Sequence, residues 1–276
     1  MQPRSQPATP PAPAPQTAPP PEPWFRSRDG AFVLYRGDSL ETLSRLGLES
    51  KASLVFADPP YFLSNGGITC RSGRMASVDK GAWDRLQTVE GMHSFNTQWL
   101  TLSRALLSED GSIWVSGTRH VIYSVGFAMQ QIGFRLLNEI TWQKPNPPPN
   151  LSCRYFTHAT ETILWASKSA RSRHTFHYKA MKLENGGKQM KSVWTLSSPA
   201  KSEKRLGKHP TQKPLALLER IVLASSKKGE LVVDPFAGSG TTGLAAVKHR
   251  RRFVGIELDE KYLELAAARH RAEFGS

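Results

Sequence analysis

The chain has 276 residues, 39% of them hydrophobic, and a formal net charge of +14 at pH 7. That length suits one α/β domain with an insertion, or two small ones, around a sizeable core. No apolar run reaches the ~18 residues of a membrane span, no apolar stretch of a secretory signal opens the chain, and Cys70 and Cys153 form no CxxC or Cys/His metal pattern; a reduced, cytoplasmic protein with no membrane partner and no metal is expected.

Residues 1–23 hold ten of the 20 prolines among Ala, Gln and Thr, and read as a disordered or polyproline-II tail. The catalytic domain is expected over 24–272. A strand at 31–36 is followed by Gly37-Asp38-Ser39, where Asp38 or Ser39 is placed to cap a helix running to Leu46. The apolar run 53–57 reads as a buried strand, and it ends in Asp58-Pro59-Pro60-Tyr61. The two prolines fix φ and remove two N–H donors, and they push the preceding residues towards extended conformations. What remains is a stiff turn with a carboxylate, free carbonyls and an aromatic face, suited to gripping a planar base by its exocyclic NH₂. Residues 62–93 are Gly- and Ser-rich and weakly periodic, so they predict a long mobile loop, which contains Arg71, Arg74 and Lys80.

A helix is expected over 94–107, a strand over 112–116 and a helix over 119–132 that Gly133 stops. Strands over 134–143 and 161–166 flank a proline cluster at 145–149. His120 and His158 read as structural or surface residues, and Trp142 as core. Residues 168–213 then carry twelve Lys and Arg against only Glu184 and Glu203. So one-sided a segment repels itself unless it meets a polyanion. With Phe176, Tyr178 and Trp194 interleaved, it predicts nucleic-acid contact by a basic insertion over 167–208, through Arg171, Arg173, Lys179, Lys182, Lys188 and Lys191.

Pro214 is placed to open a helix to about Ser226. Leu231-Val232-Val233-Asp234-Pro235-Phe236-Ala237-Gly238-Ser239-Gly240-Thr241-Thr242 has the form strand, Gly-rich turn, helix. Glycines let backbone approach a ligand, and a helix N-terminus offers unpaired N–H groups. No Gly-Lys-Ser/Thr follows, so this is not a phosphate loop. The next strand, 253–256, ends at Glu257, placed to take two ribose hydroxyls. A last helix is expected over 260–272. Seven strands alternating with helices predict an α/β, doubly wound, mostly parallel seven-stranded sheet.

DPPY at 58–61, HPTQKP at 209–214 and DPFAGSGTT at 234–242, in that order, resemble the β-class of S-adenosylmethionine-dependent DNA amino-methyltransferases. The resemblance spans roughly 31–272 and implies a Rossmann-like methyltransferase fold with a small inserted target-recognition region. It also implies methyl transfer from S-adenosylmethionine to the exocyclic amine of a base flipped out of DNA. On that resemblance Arg71, Arg74 and Lys80 of the 62–93 loop would embrace the DNA. Asp58 and the Pro59 carbonyl would accept from that amine, with Pro60 stiffening the turn and Tyr61 stacking on the base. Asp234, Phe236, Gly238, Ser239, Gly240 and Thr241 would line the amino-acid end of the cofactor, and Glu257 would hold its ribose. Asp38 would reach the adenine amine, beside or instead of its capping role, and Leu40 would pack the ring. Pro210, Thr211, Gln212 and Lys213 would form a further wall. An Asp at the first motif position favours adenine N6, with cytosine N4 second. RNA or protein-glutamine methylation and a catalytically dead nucleic-acid-binding fold are the more remote readings. A homodimer and a cognate restriction endonuclease not stably bound remain open as partners.

Overall fold

The structure is a computed structural model and describes residues 19–61, 68–71, 74–77 and 88–275. The elements in chain order are β1 (Phe25–Arg26), β2 (Phe32–Arg36), α1 (Ser39–Arg45), β3 (Ala52–Ala57), β4 (Ile68–Arg71), β5 (Arg74–Ser77), α2 (Val89–Leu106), β6 (Leu107–Gly117), α3 (Ile122–Gln131), β7 (Arg135–Gln143) and β8 (Thr160–Ser167). They continue with α4 (Tyr178–Glu184), β9 (Val193–Thr195), α5 (Leu215–Ser225), β10 (Leu231–Asp234), α6 (Thr241–Lys248), β11 (Arg252–Glu257) and α7 (Glu260–Phe274).

One sheet holds nine of these strands in the order β1-β2-β11-β10-β3-β6-β8-β7-β9, and β4 and β5 form a separate antiparallel pair. All seven expected strands are in the large sheet; the expected count is corrected by β1 and β9, edge strands of two and three residues. Such short edges leave no hydrophobic period in a sequence. Pairing is parallel throughout except at β1 with β2 and where β8 runs against both β6 and β7.

Helices cover both faces, as a mostly parallel sheet requires. On one face, Leu43 of α1, Trp99 and Leu100 of α2 and Val125 and Met129 of α3 pack on Val55, Ile113 and Val233. On the other, Leu217 and Ile221 of α5, Ala245 of α6 and Leu263 of α7 pack on Leu54, Phe56, Val232 and Phe253. Three tryptophans extend that second core: Trp114 stacks on Trp165 at 4.7 Å and leans on Trp194. Trp194, read from sequence as a stacking ring for nucleic acid, is therefore a buried core residue.

Three helix starts differ from expectation. Thr88 caps α2 through Gly91 N–H, so the helix begins at Val89, inside the segment read as loop. Arg119 lies before α3, which starts at Ile122. Pro214 is the N-cap of α5, in extended conformation, and not its first helical residue. Among the described residues no helix is long and apolar enough to cross a membrane.

Candidate active site

Strands β2, β3, β10 and β11 run parallel, so their C-terminal ends share one edge. That edge is where open α/β sheets bind ligands. β3 is apolar and central, and its ladder stops where Pro59 and Pro60 offer no N–H. β10 ends in Asp234, which is buried and accepts from Phe236 N at 2.9 Å and from Thr242 Oγ1 at 2.5 Å. These bonds fold the turn that carries Gly238 and Gly240, both with positive φ, 49° and 73°. A Cβ at Gly240 would lie 2.8 Å from the Ala266 side chain, so only glycine fits between this turn and α7. Arg269 of α7 braces the same turn from behind, donating to Ser239 O at 2.6 Å and Thr241 Oγ1 at 2.9 Å.

A cavity of about 220 Å³ opens between these strand ends. Of the residues singled out in the sequence, Asp38, Asp58, Pro59, Pro60, Tyr61, Thr211, Phe236, Gly238 and Glu257 line it. The prediction missed Ser39, Phe95, His209, Pro235, Ile256, Leu258 and Tyr262. His209 and Tyr262 meet edge to face at 4.2 Å, and Phe95 reaches in from α2. Asp38 does cap α1, through Oδ1 to Leu40 N and Glu41 N, and it also faces the cavity. Ser39 Oγ donates to Pro235 O at 2.6 Å and ties α1 to the Gly-rich turn. Glu257 accepts from Gly238 N at 2.9 Å and Asp259 N at 2.8 Å; burial raises its carboxyl above the ordinary value.

Several expected cofactor residues stand behind this cavity. Asp234, Gln212, Lys213, Ser239 and Thr241 face a smaller space of about 30 Å³. Gln212 is buried and donates to Glu203 O. Pro210 is exposed, and Leu40 packs against the core on the β2–β3 side.

Lys213 also reaches the turn that carries Asp58. Its motif suggested a cofactor wall, and its ammonium lies beneath Asp58, 2.5 Å from Oδ2. It also donates to Tyr61 Oη at 3.1 Å and sits 3.5 Å from Glu161 Oε2. Lys144 pairs with the other Glu161 oxygen. Tyr61, 4% exposed, donates its hydroxyl to Asp58 Oδ1 at 2.5 Å. Two carboxylates and two ammonium groups thus share one buried cluster. Burial works against the charge on Lys213, but Asp58 and Glu161 outweigh it and hold the ammonium above its ordinary value. Burial also pushes Asp58 up, and Lys213 opposes that push. For Glu161 burial acts upward as well, yet Lys213 and Lys144 bring the carboxyl below its ordinary value. Burial and the neighbouring Asp58 keep the Tyr61 phenol protonated, as a donor must be.

Of the expected nucleic-acid residues, those whose side chains are described do not gather here. β8 starts beside Gly117 at the active edge and ends beside Ser112 at the other. Arg171 and Arg173 follow that far end, where Arg173 N is held by Asp110 and Ser172 Oγ by Glu109 O. Arg171 and Arg173, expected to contact nucleic acid, therefore lie at the sheet edge opposite Asp58. Lys179 and Lys182 are exposed on α4, whose entry His177 is tied to Ala224 and Ser226 at the far end of α5. Lys188 and Lys191 are exposed ahead of edge strand β9. The side chains of Arg71 and Arg74, and all of Lys80, lie outside the described residues.

The profile of the N6/N4 DNA methylases matches residues 52–268. The chain belongs to the N6/N4 DNA methylase family. It is 54% identical over 242 residues to the Type II methyltransferase M2.DpnII of Streptococcus pneumoniae, covering 87% of this chain and 90% of that protein. It is 55% identical over 238 residues to M2.LlaDCHI of Lactococcus lactis subsp. cremoris, covering 86% and 88%. The crystal structure of the M1.HpyAVI–SAM complex superposes with a TM-score of 0.65 at 27% identity, over 86% of this chain and 98% of that one. This methylase is a site-specific DNA amino-methyltransferase that uses S-adenosylmethionine. The cavity fits that cofactor: carboxylates at Asp38, Asp58 and Glu257 suit a cation with amine and ribose donors, and Phe95, Phe236, Ile256 and Tyr262 offer apolar cover for a purine.

Proposed function

We propose that this methylase acts on the N6 amine of adenine, within a restriction–modification system whose endonuclease reads the same DNA without a stable complex. The carrying observation is that Asp58, Pro59 and Tyr61 line the same cavity as Asp38 and Glu257. A base amine and a cofactor can therefore meet at Asp58. Bound there, S-adenosylmethionine supplies an electrophilic methyl group. The chain's residues act on the amine. Its lone pair is delocalised into the ring, so it attacks poorly until its hydrogens are engaged. Asp58 and the Pro59 carbonyl accept those N–H groups and localise the lone pair. Tyr61 and Lys213 fix the orientation of Asp58 beforehand, so no reorganisation is needed when the base arrives. Glu257 holds the ribose end, and Asp38 receives the adenine amine of the cofactor. Asp, not Ser, at position 58 supports adenine as the target; cytosine N4 is the second reading on the same hydrogen-bond geometry.

Incubation with labelled S-adenosylmethionine and unmethylated DNA, followed by digestion to nucleosides, decides between them. N6-methyladenine is expected, and N4-methylcytosine would replace the first reading by the second. Asp58→Ala should transfer no methyl while still binding the cofactor. Full activity in that variant would remove Asp58 from the mechanism.

A further inference from the structure

The DNA-facing edge needs cations and stacking rings, and among the described residues Arg171 and Arg173 lie at the opposite edge and Trp194 in the core. The connection from β7 to β8, residues 144–159, stands on the active edge in their place. β8 opens there, and Glu161 on its second residue reaches to 3.5 Å from the Lys213 ammonium under Asp58. With strands spaced ~4.8 Å apart, the β8 start lies roughly 10 Å along the edge from Asp58. This connection therefore stands on the same sheet edge to which a duplex would deliver a flipped base.

Its sequence contains no Asp or Glu and four prolines, at 145, 147, 148 and 149. The following turn is closed by its own side chains. Asn150 Nδ2 donates to Tyr155 O at 2.5 Å, and Asn150 Oδ1 accepts from Ser152 N at 3.1 Å and Ser152 Oγ at 2.7 Å. A turn fixed this way presents Phe156 at 95% exposure and Tyr155 at 57%. Single exposed apolar side chains are ordinary, but two adjacent rings on one stiff turn are not. Cations border them: Arg154 is exposed, and Arg119, from the end of β6, donates through Nη1 to His158 Nε2 at 2.7 Å. Tyr155 packs on that His158 at 5.4 Å, so ring and guanidinium form one surface.

The geometry points to residues 150–158 with Arg119 as a DNA-contacting element, in which Phe156 and Tyr155 stack on bases beside the target and Arg119 and Arg154 take phosphates. Rings accept any base face, so this contact supports binding and base extrusion without reading sequence. The inference rests on DNA being the substrate. Wild-type turnover on unmethylated plasmid, run alongside, tests that separately: no turnover there would fail the substrate reading, not the turn.

The test compares Phe156→Ala, Arg119→Gln and, as the opposite-edge control, Arg171→Gln/Arg173→Gln. Affinity for a fluorescein-labelled oligonucleotide duplex and its single strand is read by anisotropy, turnover on plasmid by label transfer, and cofactor affinity by calorimetry. Phe156→Ala should weaken both DNA forms roughly tenfold and lower kcat/KM with them, at unchanged cofactor affinity. Arg119→Gln should reduce the slope of log K against log salt by about 0.9. The control should match wild type. DNA affinity and kcat/KM within about twofold of wild type in Phe156→Ala, or a loss confined to the control, would overturn the assignment. Phe156 touches no core, so a folding failure does not confuse the result.

Discussion

Lys213 Nζ lies 2.5 Å from Asp58 Oδ2 across a sequence separation of 155 residues. This contact joins the catalytic turn to the segment that leads into α5, and both partners are nearly closed to solvent. A buried carboxylate stays ionised only with a partner, and in the proposed reaction Asp58 accepts from the target amine most strongly, and through both oxygens, while ionised. We therefore propose that Lys213 serves the chemistry of the amine more than the cofactor.

Lys213→Met keeps the length of the side chain and removes its charge. Breaking a buried pair this way costs about 3–5 kcal/mol because the remaining charge is uncompensated. Asp58 would take up a proton and become a donor. Methyl transfer should fall by roughly 100-fold or more, as when one preorganised electrostatic group is lost. Cofactor affinity by calorimetry should change little, since Lys213 does not border the main cavity. A variant as active as wild type would show that Asp58 needs no counter-charge.

Glu161 and Lys144 extend the same cluster. Glu161→Gln leaves Lys213 and Lys144 as two buried cations around one carboxylate, and its stability should drop by about 3–5 kcal/mol. Adding Lys144→Met restores charge balance. The double variant should therefore lose less than the sum of the singles, with a coupling of roughly 0.5–3 kcal/mol in denaturant melts. Simple additivity would mean that the two side chains do not act together.

The parts of the site that depend on neighbours in sequence were legible: the apolar run before Asp58, the capping Asp38, the Gly-rich turn with Glu257 at the end of the next strand. Each is a local pattern with a local physical cause. Lys213 against Asp58 was not, because nothing in a motif says which way a lysine stem points. Glu161 resembled an ordinary polar strand start, and only the antiparallel run of β8 brings it to the active edge. The same reversal carried Arg171 and Arg173 to the opposite edge. Charge counting found a basic segment, but counting has no direction. β1 and β9 escaped because two or three residues show no period.

Asp234 gives a pH test. Burial raises its carboxyl from the ordinary 3.8 to about 7, against the bonds from Thr242 and Phe236 N–H. The folded protein thus holds this proton more tightly than the unfolded chain does. Its contribution to stability is complete below about pH 4 and is lost as pH rises towards 7, at up to about 1.4 kcal/mol per pH unit. Asp234→Asn keeps an acceptor for Phe236 N–H and has nothing to titrate. Unfolding free energies from denaturant melts between about pH 4 and 7 should show a shallower decline in the variant than in wild type. Parallel curves would mean that Asp234 is ionised in the folded protein across this window.

Glu257 separates cofactor binding from catalysis. Its two oxygens brace Gly238 N–H and Asp259 N–H, and their remaining lone pairs face the cavity, where ribose hydroxyls would donate. A hydrogen bond to a charged group contributes about 1.5–3 kcal/mol, so loss of even one weakens binding by about tenfold or more. Glu257→Ala removes both and also loosens the Gly238 turn. Calorimetry should show S-adenosylmethionine affinity falling by at least about tenfold, while turnover at saturating cofactor recovers most of the wild-type rate because Asp58 and Lys213 are untouched. Glu257→Gln, which keeps one acceptor oxygen, should fall between the two. Unchanged affinity in Glu257→Ala would take the ribose away from this residue, and a rate that saturating cofactor does not restore would move Glu257 into the methyl-transfer step itself.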